Sequence, residues 1–263
     1  MTRDPFPALL LTLWTAATFV PLHSAVHAET PPPAGAQGFG DTDPSSAETG
    51  AIESAGVRDI AAGGYHSCAV SARGAVYCWG YNTAGQVGDG TFVSQRLQPV
   101  PVTGLEGPFR AVAAGWDFSC ALSEAGRVFC WGANGAGQLG DGTRMGSAVP
   151  RAVLGLGSGV RAIAAGEGHA CAIVASGNLF CWGGNSSGQV GDGTFSDRDT
   201  PARVQGLRAD VTSVGTGYDH TCAIDRGGRA TCWGGNSYYQ LGDGTRTDRA
   251  VPTPVVAVLW PRP

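Results

Sequence analysis

The amino-acid sequence predicts an all-β fold of the β-propeller type, built as four blades of four antiparallel strands each. Three observations predict it. First, a unit of about 51 residues recurs four times: Cys78-Trp79-Gly80-Tyr81-Asn82 returns as Cys130-Trp131-Gly132-Ala133-Asn134, Cys181-Trp182-Gly183-Gly184-Asn185 and Cys232-Trp233-Gly234-Gly235-Asn236. Second, each unit holds four short apolar stretches separated by Gly-rich turns, which is the pattern of a propeller blade. Third, 42 glycines and only 14 % charged residues favour a turn-rich β chain, because glycine weakens helix interiors and supplies the positive φ of tight turns.

Residues 1–28 read as a signal peptide. Arg3 supplies the positive start, Ala8 to Val20 is an apolar run broken only by Thr, and Val26-His27-Ala28 offers small residues for cleavage. The run is shorter than the ~20 residues of a spanning helix, so no membrane span is expected after cleavage. Residues 29–56 are rich in Pro, Gly, Ser and Thr and read as a disordered linker. The four repeats occupy 57–107, 108–159, 160–210 and 211–258, and 259–263 form a tail.

Within a repeat, the first strand is small and apolar (Val57 to Ala62, Val160 to Ala165) and ends at a Gly: Gly63, Gly115, Gly166 or Gly217. The second strand carries the first Cys, as in His66-Ser67-Cys68-Ala69-Val70. The third carries the second Cys and the Trp. A polar stretch follows, containing Gln86 to Thr91 and its equivalents Gln138 to Thr143, Gln189 to Thr194 and Gln240 to Thr245. The fourth strand is expected around Val100, Val153, Val204 and Val255. Pro99, Pro150, Pro201 and Pro252 stand at its start, and proline marks it as the outer strand.

The middle hairpin fixes its own register. If Ala72-Arg73-Gly74 forms a three-residue loop with Gly left-handed, Ser71 pairs with Ala75 and Cys68 falls opposite Cys78. The same count holds in every unit, because nine residues always separate the two cysteines. One face then carries Cys68, Val70, Val76 and Cys78, and the other Ala69, Tyr77 and Trp79. Both faces are apolar, as expected of a blade between two neighbours. Directly opposed residues lie about 4.5–5.5 Å apart, within disulfide reach. The repeat therefore favours Cys68–Cys78, Cys120–Cys130, Cys171–Cys181 and Cys222–Cys232. A Cys/His metal site is the weaker alternative: His66, His169 and His220 precede a Cys by two, but Phe118 replaces the His in unit two.

The run Cys-Trp-Gly-x-Asn-x-x-Gly-Gln-Leu-Gly-Asp-Gly-Thr resembles the regulator of chromosome condensation repeat family, in the cysteine-containing form of exported bacterial proteins. The resemblance covers about Val57 to Val258. It implies a propeller with roughly one blade per repeat and, by analogy with the eukaryotic namesake, guanine-nucleotide exchange as an alternative activity. It also implies protein inhibition as one form of binding. Well-known members have seven repeats and this chain has four. A closed ring of four, an open arc, and half of a dimeric ring completed by a second copy all remain open.

Several chemistries are excluded or disfavoured. All 17 basic residues are Arg, so neither a Walker-type phosphate loop nor a Schiff base can form. The net charge of −4 provides no footprint for nucleic acid. No Cys-x-x-Cys and no Asp-x-Asp-x-Asp-Gly loop occurs, so no redox or calcium role is expected. Asp89, Asp141, Asp192 and Asp243 recur in Gly-Asp-Gly-Thr and read as turn residues. No catalytic residue, metal ligand or cofactor site is expected. The repeat symmetry breaks in the loops after the first strand, at Tyr65, Trp116, Asp117, Glu167, Tyr218 and Asp219, and again at Tyr238 and Tyr239. These residues are the candidate binding surface, with Tyr238 and Tyr239 also readable as a cap on the last blade. The expected function is a secreted, periplasmic or cell-surface module, not an enzyme, that binds a protein or a surface glycan. A glycan-active hydrolase or lyase is a further alternative.

Overall fold

The computed structural model describes residues 56–256. The chain divides into Met1–Asp41 and Thr42–Pro263, and every described residue belongs to the second unit. The signal peptide, residues 29–55 of the linker and the tail lie outside the described residues.

Among the described residues, sixteen strands form four four-stranded antiparallel sheets. Blade 1 contains β1 (Val57–Ala62), β2 (His66–Ser71), β3 (Val76–Tyr81) and β4 (Gln95–Pro101). Blade 2 contains β5 (Phe109–Ala114), β6 (Phe118–Ser123), β7 (Val128–Gly132) and β8 (Ser147–Ala152). Blade 3 contains β9 (Val160–Ala165), β10 (His169–Val174), β11 (Leu179–Gly183) and β12 (Arg198–Arg203). Blade 4 contains β13 (Val211–Thr216), β14 (His220–Asp225), β15 (Ala230–Gly234) and β16 (Arg249–Pro254). Each sheet follows chain order from an inner to an outer edge.

The central hairpin takes the register that the sequence dictates. Cys68 faces Cys78, and the other three pairs face each other likewise. All four pairs are disulfides with Cα atoms 4.1 Å apart. Ser71 N donates to Ala75 O, so counting outward places each cysteine pair at a non-hydrogen-bonded site, the closer of the two antiparallel spacings.

The outer strand differs from expectation. Pro99, Pro150, Pro201 and Pro252 lie inside it, not at its start, and Val153, Val204 and Val255 fall just beyond its end. Cys78 faces Val100 and Gly80 faces Arg96, so Trp79 alone spans Leu97, Gln98 and Pro99. The same irregularity occurs opposite Trp131, Trp182 and Trp233. Proline is tolerated because the ladder is already broken there.

Among the described residues the blades form an open arc. Packing between strands of different blades joins β1 and β2 to β5, β5 and β6 to β9, and β9 and β10 to β13. At the ends, repeat positions that are buried elsewhere face solvent. Ile60 is 64 % exposed where Val112 is 7 %, and Ile224 is 44 % exposed where Ile173 is 0 %. Blades 2 and 3 bury both faces, as the two apolar faces of the hairpin predict.

Candidate functional site

The recurring tryptophans tie each blade to the one before it. Trp131, Trp182 and Trp233 each donate an indole N–H to the backbone carbonyl of Gln86, Gln138 or Gln189 in the preceding blade, at 2.9 Å. A Cβ on Gly88, Gly140 or Gly191 would come within 2.6, 2.8 and 2.5 Å of those indole nitrogens, so only glycine fits. Ser119 Oγ and Thr221 Oγ1 donate to the same carbonyls of Gln86 and Gln189. They accept in turn from His66 Nε2 (2.7 Å) and His169 Nε2 (2.9 Å). Phe118 breaks this pattern for a reason: the residue it would meet in blade 3 is Ala170, not Ser or Thr. The histidines are thus buried structural groups. Burial pushes His66 down to about 4; burial, aided by the nearby His220, pushes His169 down to about 3. Among the described residues no group of three potential ligands could hold a metal ion.

The recurring aspartates are turn residues, as expected. Asp89, Asp141, Asp192 and Asp243 each accept from the backbone N–H and hydroxyl of the Thr two residues on. In blades 1, 3 and 4 an arginine also joins them: Arg96, Arg198 and Arg249. Burial opposes the charge on Asp89 and Asp192, but hydrogen bonds from Thr and Arg outweigh it and hold both below the usual carboxylate range.

A bridge between inner strands was not legible in the sequence. A bulge near the start of each inner strand presents Arg58, Arg110 and Arg161 to the following blade. They donate to the carbonyls of Phe109, Val160 and Val211. Blade 4 carries Thr212 there, and its hydroxyl bonds within its own blade to Ile224 O.

The loops after the first strands bring three predicted residues together. Tyr65 and Trp116 meet edge-to-face with ring centroids 5.5 Å apart, and Trp116 meets Tyr218 at 6.1 Å. Their exposures are 64, 41 and 60 %. Tyr81, which the sequence reading did not single out, joins Tyr65 at 6.3 Å. Its signal was available: the residue after Cys-Trp-Gly is Tyr in unit one but Ala, Gly and Gly in the others. Half-buried carboxylates interleave with these rings. Asp117 accepts from Gln86 Nε2 at 2.9 Å. Asp219 accepts from Gln240 Nε2 and lies 3.9 Å from His220 Nδ1. A hydrogen bond to Glu167 raises the Tyr218 phenol above its ordinary value. Tyr238 and Tyr239 stand apart, in the blade 4 loop equivalent to Ala84 and Gly85. Tyr239 has φ +62°, and its ring lies 4.6 Å from the Arg246 guanidinium.

The RCC1-like domain model matches residues 33–260. This chain belongs to the RCC1-like domain family. The RCC1-like chain is 32 % identical over 224 residues to the ultraviolet-B receptor UVR8 of Arabidopsis thaliana, covering 83 % of this chain and 51 % of UVR8. It is 35 % identical over 206 residues to the probable E3 ubiquitin-protein ligase HERC4 of Homo sapiens, covering 77 % of this chain and 20 % of HERC4. The chain thus spans about half or less of these curated relatives. Among solved structures, yeast RCC1 (Prp20) bound to Kap60 superposes with a TM-score of 0.69 at 26 % identity, covering 77 % of this chain and 49 % of Prp20. Human WBSCR16 gives 0.68 at 27 % identity, covering 76 % and 53 %.

Proposed function

We propose that this RCC1-like chain is an exported, non-enzymatic module that binds a protein or surface-glycan partner through the face carrying Tyr65, Tyr81, Trp116 and Tyr218. The edge-to-face run of exposed aromatic rings carries the reading. Large rings left in solvent cost free energy in the unbound protein and return it when a partner covers them. The repeat demands an aromatic at none of these positions: the equivalents of Tyr65 and Tyr81 are Gly, Ala or Asp, and the position shared by Trp116 and Tyr218 holds Gly64 and Glu167 in the other two units. The relative Prp20 is solved with a protein partner, Kap60, which favours a protein over a glycan. Export agrees with four buried or half-buried disulfides, which suit an oxidising compartment. Tyr238 and Tyr239 act in this reading as a cap on blade 4.

The test is retention of surface proteins and of a glycan panel on the immobilised chain. The double variant W116A/Y218A should lose what the native chain retains, with an unchanged melting temperature. Equal retention by both would overturn the reading.

A further inference from the structure

The aromatic run borders two cavities among the described residues: one beside the inner strands, touched by Trp116 and Tyr218, and one lined by three of its rings. Between blades 1 and 2 a space of about 620 Å³ is lined by Tyr65, Tyr81, Trp116, Asp117, Arg96 and Leu97, together with Gly80 and Gln95. Tyr81 and Trp116 stand at 71° and 81° to the Tyr65 ring. Steeply inclined rings wall a compact pocket and do not make the flat platform on which a sugar ring stacks. Ring faces are electron-rich, so such walls attract a cation.

The carboxylate at the pocket supports the same charge. Only one Asp117 oxygen is engaged, by the neutral Gln86 amide, and among the described residues no cationic side chain pairs with Asp117. Burial pushes its pKa up, as happens to a carboxylate short of positive neighbours. The Arg96 guanidinium does not supply that charge, because Asp89 and Thr91 hold it. The pocket also breaks the repeat. At the positions of Tyr65 and Tyr81 the other units carry Asp117, Gly168 and Asp219, and Ala133, Gly184 and Gly235. A feature serving the fold alone would recur.

We infer that the pocket between Tyr65, Tyr81 and Trp116, closed by Asp117, receives a basic side chain (arginine or lysine) of a protein partner. This inference rests on the proposed binding face and names the chemistry that the face recognises.

The test uses acetyl-Gly-Arg-Gly-amide, titrated calorimetrically into the native chain while intrinsic tryptophan emission is followed, with W116A showing which part of any change comes from Trp116. Two controls accompany it: the same peptide with citrulline for arginine, and an N-acetylglucosamine hexamer. The arginine peptide should bind and weaken with added salt, and the citrulline peptide should bind about tenfold more weakly. Y65A, W116A and D117N should each reduce affinity by about fivefold or more. All three positions are exposed or half-buried, and the near-ultraviolet signal of buried Trp131, Trp182 and Trp233 reports whether each variant stays folded. Equal binding of the arginine and citrulline peptides, or binding of the saccharide alone, would overturn the inference. So would no binding at all. If W116A/Y218A still lost a retained partner in those cases, the binding face would stand and only its chemical class would fall.

Discussion

The indole N–H of Trp131 donates to the backbone carbonyl of Gln86 across the boundary between blades 1 and 2, at 2.9 Å. The same bond closes the next two boundaries. Trp79, at the same repeat position in blade 1, has no preceding blade among the described residues and is only half-buried. The Cys-Trp-Gly motif is therefore an inter-blade device, and its value depends on where in the arc it stands.

Replacing each Trp by Phe tests that dependence. W131F and W182F should cost about 2–3 kcal/mol, from a lost buried hydrogen bond plus incomplete filling of the site. W79F should cost less than about 1 kcal/mol. Denaturant midpoints at constant slope measure both. Equal losses at all three positions would contradict an inter-blade role.

The disulfides should not respond equally to reductant. Each cysteine pair lies on the face turned to the following blade, so Cys68, Cys78 and Phe109 share one cluster. Blade 4 has no following blade among the described residues, and Cys222 is half-buried where Cys68, Cys120 and Cys171 are buried. Thiol–disulfide exchange requires access. Under mild reductant, alkylation and mass analysis should find Cys222 and Cys232 modified first. Prior reduction in blade 2 or 3 would contradict the assignment of faces.

Blade 4 departs from the repeat where blades 1 to 3 touch their successors. A Cβ on Gly137 would lie 2.6 Å from the Asp199 backbone of blade 3, yet the equivalent residue of blade 4 is Tyr239. G137Y should therefore cost roughly 3 kcal/mol or more, combining left-handed strain with overpacking. Y239G relieves the strain at φ +62° and loses the contact with Arg246, so its stability should stay within about 1 kcal/mol. Thermal melts of the two variants give the contrast. A mild G137Y would show that adjacent blades are not in close approach at this point.

The repeat, the strand order and the cysteine register were legible because they rest on period and turn chemistry, which are local. The links between blades were not. Arg58 reaches a carbonyl 51 residues away, and the His66–Ser119 and Trp131–Gln86 bonds span 53 and 45 residues. Their acceptors are often backbone atoms that leave no mark in the sequence. The prolines misled for a related reason: they mark the outer strand correctly, but the bulge that tolerates them depends on how Trp79 and its equivalents face that strand. Of the site, Tyr65, Trp116 and Tyr218 were found as breaks in symmetry. Tyr81 was missed because it follows the conserved-looking Cys-Trp-Gly run and reads as part of it.

The buried histidines should make the arc sensitive to acid. In the folded chain the pKa of His66 is about 4 and that of His169 about 3, against about 6.5 when unfolded. The unfolded chain therefore binds more protons between these values, and stability rises with pH there. The stability is fully present above about pH 6.5 and is lost as pH falls toward 4, by at most about 1.4 kcal/mol per pH unit for each histidine. The cause is structural: protonation adds an N–H at Nδ1, which is buried in both residues without a partner. Phe118 and Ala170 show how the repeat avoids this, since they replace the His–hydroxyl pair at the boundary of blades 2 and 3. Transplanting that pair as H169F/T221A should reduce the stability difference between pH 7.5 and pH 5, a range above the pKa of most carboxylates. Urea midpoints at the two pH values measure it. If the double variant lost as much stability on acidification as the native chain, another group would have to carry the dependence.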